Sequence, residues 1–282
     1  MTGTLRPPLC VVVLLAFFVL PAQAAHITAP DGAKISYEEQ GKGNIILLVH
    51  GWQCSGKFWQ KNVPELAKHF RVITMDLRGH GNSSKIMSGH TISQYATDIR
   101  TLIETLQLKG VTLVGWSLGG PVVLTYWDKY VKDSHLSGIV LVDAPLAPRN
   151  PGKWPARYSK TLNDEREAST LAFIKNMFHG ANPPKSDIAW IKEEILKTPS
   201  WVAMGIVSDF YYTDTTQYLS SVTVPTLVIA AGSEQSMKNG RWIAGQIKNG
   251  TFVSVQEAGH IMFYEKPDVF NKVMTEFVNK GK

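Results

Sequence analysis

Cysteine is nearly absent: the 282 residues contain only Cys10 and Cys54. Cys10 lies inside an apolar run, residues 9–20, so a chain that loses this run keeps one thiol and can form no internal disulfide. That run has twelve residues, short of the ~20 that a membrane-spanning helix requires. Blocks of like charge are missing as well. The 29 Lys and Arg are scattered among 23 Asp and Glu for a net charge of +6, and no basic tract interleaved with aromatics points to a nucleic acid. His, Cys, Asp and Glu show no metal-ligand spacing, and no glycine-rich loop has the form of a phosphate cradle. Neither a metal nor another cofactor is implied.

The front of the chain carries a targeting pattern. Arg6 precedes the apolar run, and Pro21-Ala22-Gln23-Ala24 follows it with small residues spaced for cleavage. Residues 1–24 therefore read as a signal peptide, with a mature chain from Ala25 that is periplasmic or secreted and has no stable membrane insertion. An uncleaved anchor is the alternative.

Downstream, apolar runs alternate with helical periodicity. Lys34–Gln40 alternates after Pro30-Asp31-Gly32 and reads as an edge strand. Residues 44–50, 71–76, 111–115, 136–142, 226–231 and 251–256 read as further strands, mostly continuous apolar runs as in a sheet buried on both faces. Helical spacing marks 58–70, where Pro64 interrupts it, and 92–106, 241–247 and 268–278. This order predicts an α/β fold with a mostly parallel, doubly wound sheet. Residues 147–214 break the alternation, with six prolines and helix-like segments at 165–178 and 187–196. A stretch that long is too big for a loop, so it reads as a helical cap between two core strands. The core is then 25–146 plus 215–282. The cap aromatics, among them Trp154, Tyr158, Phe173, Trp190 and Trp201, are expected mostly to form the cap's own core, with the remainder roofing an apolar cleft.

One segment joins strand to helix through chemistry. Residues 113–121 read Leu-Val-Gly-Trp-Ser-Leu-Gly-Gly-Pro, an apolar strand entering a G-x-S-x-G turn, with a helical pattern directly after it. A serine at such a turn needs a strained backbone, and Gly115 and Gly119 remove the side chains that would collide there. Ser117 is the candidate nucleophile, and the N–H of Leu118, directly after it, is a donor for charge developing on a substrate oxygen. His260 follows the last strand in Glu257-Ala258-Gly259-His260, where a base can reach the serine. The other histidines read as structural, and Cys54 sits on no such turn.

Four segments in order, His50-Gly51-Trp52, Asp76-Leu77-Arg78-Gly79-His80-Gly81-Asn82-Ser83, Gly115-Trp116-Ser117-Leu118-Gly119-Gly120 and Gly259-His260, carry a resemblance across the mature sequence. The chain resembles the α/β-hydrolase fold family, and within it the cap-bearing esterases and cofactor-free haloperoxidase-like enzymes. The resemblance implies a second oxyanion-hole donor at the Trp52 N–H. It also implies an acid three residues after Gly232, where this sequence has Gln235. An amide there cannot stabilise an imidazolium as a carboxylate does. Asp143, at the end of a strand where other members carry the acid, is the expected replacement, with Glu234 as the alternative. The implied activity is hydrolysis of carboxylic esters or lactones with small to medium apolar acyl groups. A perhydrolase or haloperoxidase-like reaction by the same residues, or a non-catalytic receptor on this fold, are the other readings.

Overall fold

The computed structural model describes residues 23–130, 135–146 and 165–280. Eight strands form one sheet in the order β1-β2-β4-β3-β5-β6-β7-β8. They are β1 (Gln23–Thr28), β2 (Lys34–Gln40), β3 (Ile45–Val49), β4 (Arg71–Met75), β5 (Val111–Trp116), β6 (Leu136–Val142), β7 (Thr226–Ala231) and β8 (Gly250–Val255). β1 and β2 run antiparallel to their neighbours, and every pairing from β4 to β8 is parallel. The continuous apolar runs follow from burial on both faces. Ile45, Leu47 and Val49 join one core cluster, whereas Ile46 and Leu48 join the other, as alternating side chains must.

Two expectations need correction. β2 is not the edge strand, because β1 pairs outside it from Gln23↔Glu39 to Thr28↔Lys34. β1 was hidden by its short, alanine-rich sequence, which overlaps the predicted cleavage site. The helix expected over 58–70 is instead a 3-10 turn (Gly56–Trp59) and the short α1 (Val63–Leu66), which has Pro64 in its first turn. The signal-peptide reading lies almost wholly outside the described residues.

Strand order reverses between β3 and β5: the chain leaves β3 for β4 on one side and returns to β5 on the other. In such sheets a crevice opens at this point beyond the carboxyl ends of the strands. α2 (Ile92–Thr105) and α3 (Gly119–Tyr130) cover one face. Between β6 and β7 lie α4 (Arg166–Met177), α5 (Lys185–Leu196) and α6 (Ser200–Tyr212), followed later by α7 (Glu234–Gly245), α8 (Met262–Glu265) and α9 (Pro267–Lys280). α6 escaped sequence reading because Trp-Val-Ala-Met-Gly-Ile-Val is apolar on all sides and shows no clear helical stripe.

The described cap helices do not build a core of their own. Ile174, Met177, Ile191 and Ile195 belong to one core cluster of the sheet, and Ile206 to the other. Their aromatics follow the same rule. Phe173 meets Trp52 edge-on at 5.5 Å, Trp190 meets Phe58 at 5.1 Å, and Trp201 meets His90 at 5.2 Å. Three short helices cannot enclose an interior, so their apolar sides turn to the larger domain. Trp154 and Tyr158 lie outside the described residues.

Polar contacts fix the same seam. Asp209 of α6 accepts the Ile92 N–H at 2.7 Å and so caps α2, and Glu194 of α5, itself buried, accepts the Ser55 hydroxyl at 2.8 Å.

Candidate active site

Ser117 sits one residue beyond β5 with φ at +53°, a conformation that non-glycine residues rarely adopt. The neighbouring strand continues to hold it: the Ser117 N–H donates to Val142 O at 2.9 Å, and Gly120 N–H closes the turn onto Ser117 O at 3.0 Å. A Cβ on Gly115 would lie 2.3 Å from Gly119 O, and one on Gly119 would lie 2.8 Å from Val49 O. Both glycines of the pentapeptide are therefore required by main-chain atoms. Leu118 N–H falls among the donors that the start of a helix leaves outside its own ladder.

Across the switch point, Gly51 follows β3, and a Cβ there would come within 3.0 Å of Ser117 Cβ. His50 controls this loop. Its Nε2 accepts the Leu77 N–H at 2.9 Å, so the proton must sit on Nδ1, which donates to Gly51 O at 2.7 Å. Cys54 N–H donates to the same carbonyl at 3.2 Å. Among the described residues no peptide bond is cis, so Gly51 C=O and Trp52 N–H point in opposite directions. Fixing the carbonyl thus fixes the direction of the Trp52 N–H. Burial pushes the His50 pKa down, which keeps the ring in the neutral form this geometry requires. The Trp52 indole N–H donates to Ala203 O in α6 at 3.0 Å, tying the loop to the cap.

Asp143 lies one residue beyond β6, also at positive φ (+42°), with its N–H on Ile229 O at 2.7 Å. Its Oδ2 is 2.6 Å from His260 Nδ1. A ring nitrogen facing a carboxylate carries the proton, leaving Nε2 as the acceptor nitrogen. The other carboxylate oxygen accepts from the Ser236 hydroxyl and from Ala231 N–H. Burial raises the Asp143 pKa, but the hydrogen bond and charge of His260, with the Ser236 and Ala231 donors, outweigh it and hold the carboxyl below its ordinary value.

The two rival positions stand apart from this pair. Glu234 and Gln235 are exposed in the first turn of α7, and Gln235 donates to Asn239 at 2.9 Å. Ser236 was not singled out from sequence. Its signal was the Ser233-x-x-Ser236 helix start, in which the Ser233 hydroxyl accepts Ser236 N–H at 3.2 Å and turns Ser236 inward. Trp116 was likewise missed: its ring lies 5.4 Å from the His260 ring, and its indole N–H donates to His260 O at 2.9 Å. Asp76, Arg78 and His80 serve as ties. Asp76 accepts Gly56 and Asn82 N–H groups, both at 2.7 Å, while buried Arg78 binds Asp98 and Asp31. Cys54 is buried, and its thiol pKa is driven up by that burial, which suits packing and not nucleophilic attack.

The arrangement is a hydroxyl on a strained turn beside a loop with constrained donors, with an imidazole oriented by a carboxylate. Known proteins match along nearly the full length. The bifunctional esterase/perhydrolase DCH of Acinetobacter calcoaceticus is 27% identical over 273 residues, covering 90% of this chain and 99% of that protein. A non-heme chloroperoxidase of Kitasatospora aureofaciens is 27% identical over 271 residues, covering 90% and 98%. The bromoperoxidase from Bacillus anthracis superposes with a TM-score of 0.84 at 26% identity, covering 91% of this chain and 100% of that one. The family model for the alpha/beta hydrolase fold matches residues 44–267, and the chain belongs to that family.

Proposed function

We propose that the protein is a serine hydrolase of carboxylic esters or lactones with small to medium apolar acyl groups. The observation that carries the reading is the 2.6 Å contact from His260 Nδ1 to Asp143, on a ring seated against Trp116, the residue before Ser117. In this reading Ser117 Oγ attacks the carbonyl carbon while His260 Nε2 takes its proton. The resulting oxyanion accepts from the N–H groups of Trp52 and Leu118. Collapse breaks the bond to the alkoxide, which takes the proton from His260, and leaves an acyl-serine. Water, deprotonated by the same nitrogen, then releases the acid. Asp143 keeps the ring in the Nδ1–H tautomer and stabilises the imidazolium. Trp52 and Phe173, in edge contact, support an apolar acyl side. The named activities of the esterase/perhydrolase and of the bromoperoxidase favour a second reaction of the same residues, in which hydrogen peroxide replaces water and a peracid leaves.

A fluorophosphonate should label the wild-type protein at Ser117, and Ser117→Ala should lose the label and roughly 10³-fold or more in kcat. An alanine variant that keeps more than a tenth of the esterase activity would overturn the mechanism. Export is part of the reading, supported by Arg6, the apolar run 9–20 and Ala22-Gln23-Ala24. N-terminal sequencing of the recovered protein should begin at Ala25, and cytoplasmic protein with residues 1–24 intact would refute it.

A further inference from the structure

The loop bearing His260 is held by a residue outside the proposed triad. Glu265, the last residue of α8, accepts the Gly259 N–H on one carboxylate oxygen at 2.6 Å. Its other oxygen accepts the N–H of His179, two residues beyond α4 in the cap, at 2.9 Å. The same strip of cap runs along the loop. Ile261 N–H donates to Met177 O at 3.2 Å, and a Cβ on Gly259 would lie 2.5 Å from that oxygen and 2.6 Å from His179 N. Residues 259, 260 and 261 are thus tied by Glu265, by the Trp116 indole and by the cap main chain in turn. Glu265 is itself fixed by its N–H on Ile261 O at 3.1 Å, so one helical turn folds back on the loop it anchors.

We propose that Glu265 is a positioning residue for His260, and that through it the docked cap sets the alignment of the imidazole with Asp143. This rests on His260 being the base of the proposed serine mechanism. A carboxylate is the group that can accept two converging N–H donors at full length, because both oxygens are acceptors and the bonds are charge-assisted. An amide of the same shape would turn an N–H toward an N–H. The cap is then part of the catalytic geometry and not only a roof over the substrate.

The test is Glu265→Gln in the full-length enzyme, with kcat expressed per fluorophosphonate-titrated site. Misalignment should lower kcat about tenfold with KM within about twofold, since the bond between His260 and Asp143 matters most as the imidazolium forms. It should also shift the acid limb of the kcat/KM profile to lower pH, because a poorly placed carboxylate supports the imidazolium less. A merely structural role would reduce the number of titratable sites and leave kcat per site and the pH profile as in wild type, which would overturn the proposal. If Glu265→Gln does not fold, His179→Pro breaks the bridge at its cap end, because it removes the N–H and places the ring Cδ where that bond to Glu265 ran. Phe178 already has the extended conformation required before proline (φ −94°, ψ 150°), and position 179 opens a 3-10 turn. A change in the same direction, about threefold in kcat, is expected there; a wild-type kcat and pH profile would again refute the coupling. A dead Ser117→Ala beside a normal Glu265→Gln overturns this inference alone. An active Ser117→Ala overturns the serine mechanism and, with it, the role of His260 on which the inference stands.

Discussion

Ser117 and His260 occupy neighbouring loops, but different kinds of atoms hold them in place. Around Ser117 the constraints are main chain on main chain: strand partners on both sides, a positive φ, and two glycines whose missing Cβ atoms face carbonyl oxygens. Around His260 most are side chains arriving from four elements, namely Trp116 from β5, Asp143 from the end of β6, Ser236 behind it in α7 and Glu265 from α8, with one strip of cap main chain at Met177 beside them. A backbone-defined turn leaves a local, short-range mark on the sequence. A loop held by distant side chains leaves almost none, because each contact spans a large part of the chain.

The sharpest way to break this contrast is a matched pair of glycine substitutions. Gly115→Ala places a Cβ 2.3 Å from Gly119 O and 2.5 Å from Gly119 C, inside the turn it must not distort. Loss of roughly 10³-fold or more in activity is expected, as for removal of the nucleophile, because the hydroxyl can no longer be presented. Gly259→Ala collides with cap main chain at Met177, Phe178 and His179, which can move outward. It should stay folded with a lower Tm and lose about 10- to 100-fold in kcat. Melting curves and rates for the two proteins decide the matter, and the opposite ranking would mean that the cap strip is the more rigid partner.

Next in size is the acid. Asp143→Asn should lower kcat roughly 10²- to 10⁴-fold with a much smaller change in KM, because the amide holds neither the tautomer nor the charge. Glu234→Gln, at an exposed helix start, should cost less than about tenfold. Asparagine must also keep the positive φ at position 143, which it tolerates well, so a large loss with an unchanged Tm would report on charge. A folded Asp143→Asn enzyme with near-normal kcat would remove Asp143 from the mechanism.

The same contrast explains what could be read in advance. β3, β5, β6 and β7 were legible because strands buried on both faces are continuous apolar runs, and the Ser117 turn was legible because its glycines lie two residues away on either side. The choice between Asp143 and Glu234 could not be made from local pattern. It depends on the end of β6 lying beside β7, with the ladder carried one residue further by Asp143 N–H on Ile229 O. Ser236, Trp116 and the bridging Glu265 are ordinary residues until the chain is folded. The cap aromatics misled for a related reason: periodicity shows that a helix has an apolar side, but not which neighbour receives it.

The smallest expected effect separates the two loops by pH. His50 and His80 lie in the frame on the Ser117 side, their rings 5.2 Å apart, and His80 Nδ1 donates to Arg78 O at 3.0 Å. Burial lowers both pKa values, and for His80 the neighbouring His50 adds to the effect. The unfolded chain therefore takes up a proton at each site near pH 6.5 while the folded chain does not, so stability falls as pH drops from about 6.5 toward the depressed folded values. The slope is at most about 1.4 kcal/mol per pH unit for each ring. Asp143 has the same sign in a lower window, because its carboxyl is held below the ordinary range: its contribution is complete above about pH 4 and is lost only as pH falls through the folded value. Denaturant midpoints between pH 8 and 5.5 should therefore decline with decreasing pH. A flat profile over that range would show that His50 and His80 take up protons in the folded state, which the Leu77 N–H aimed at His50 Nε2 opposes. Protonation there would set two donors against each other and unseat the ring that holds Gly51 O, so the loop that answers first to acid is the one steered by the His50 side chain, while the main-chain turn at Ser117 has no such group.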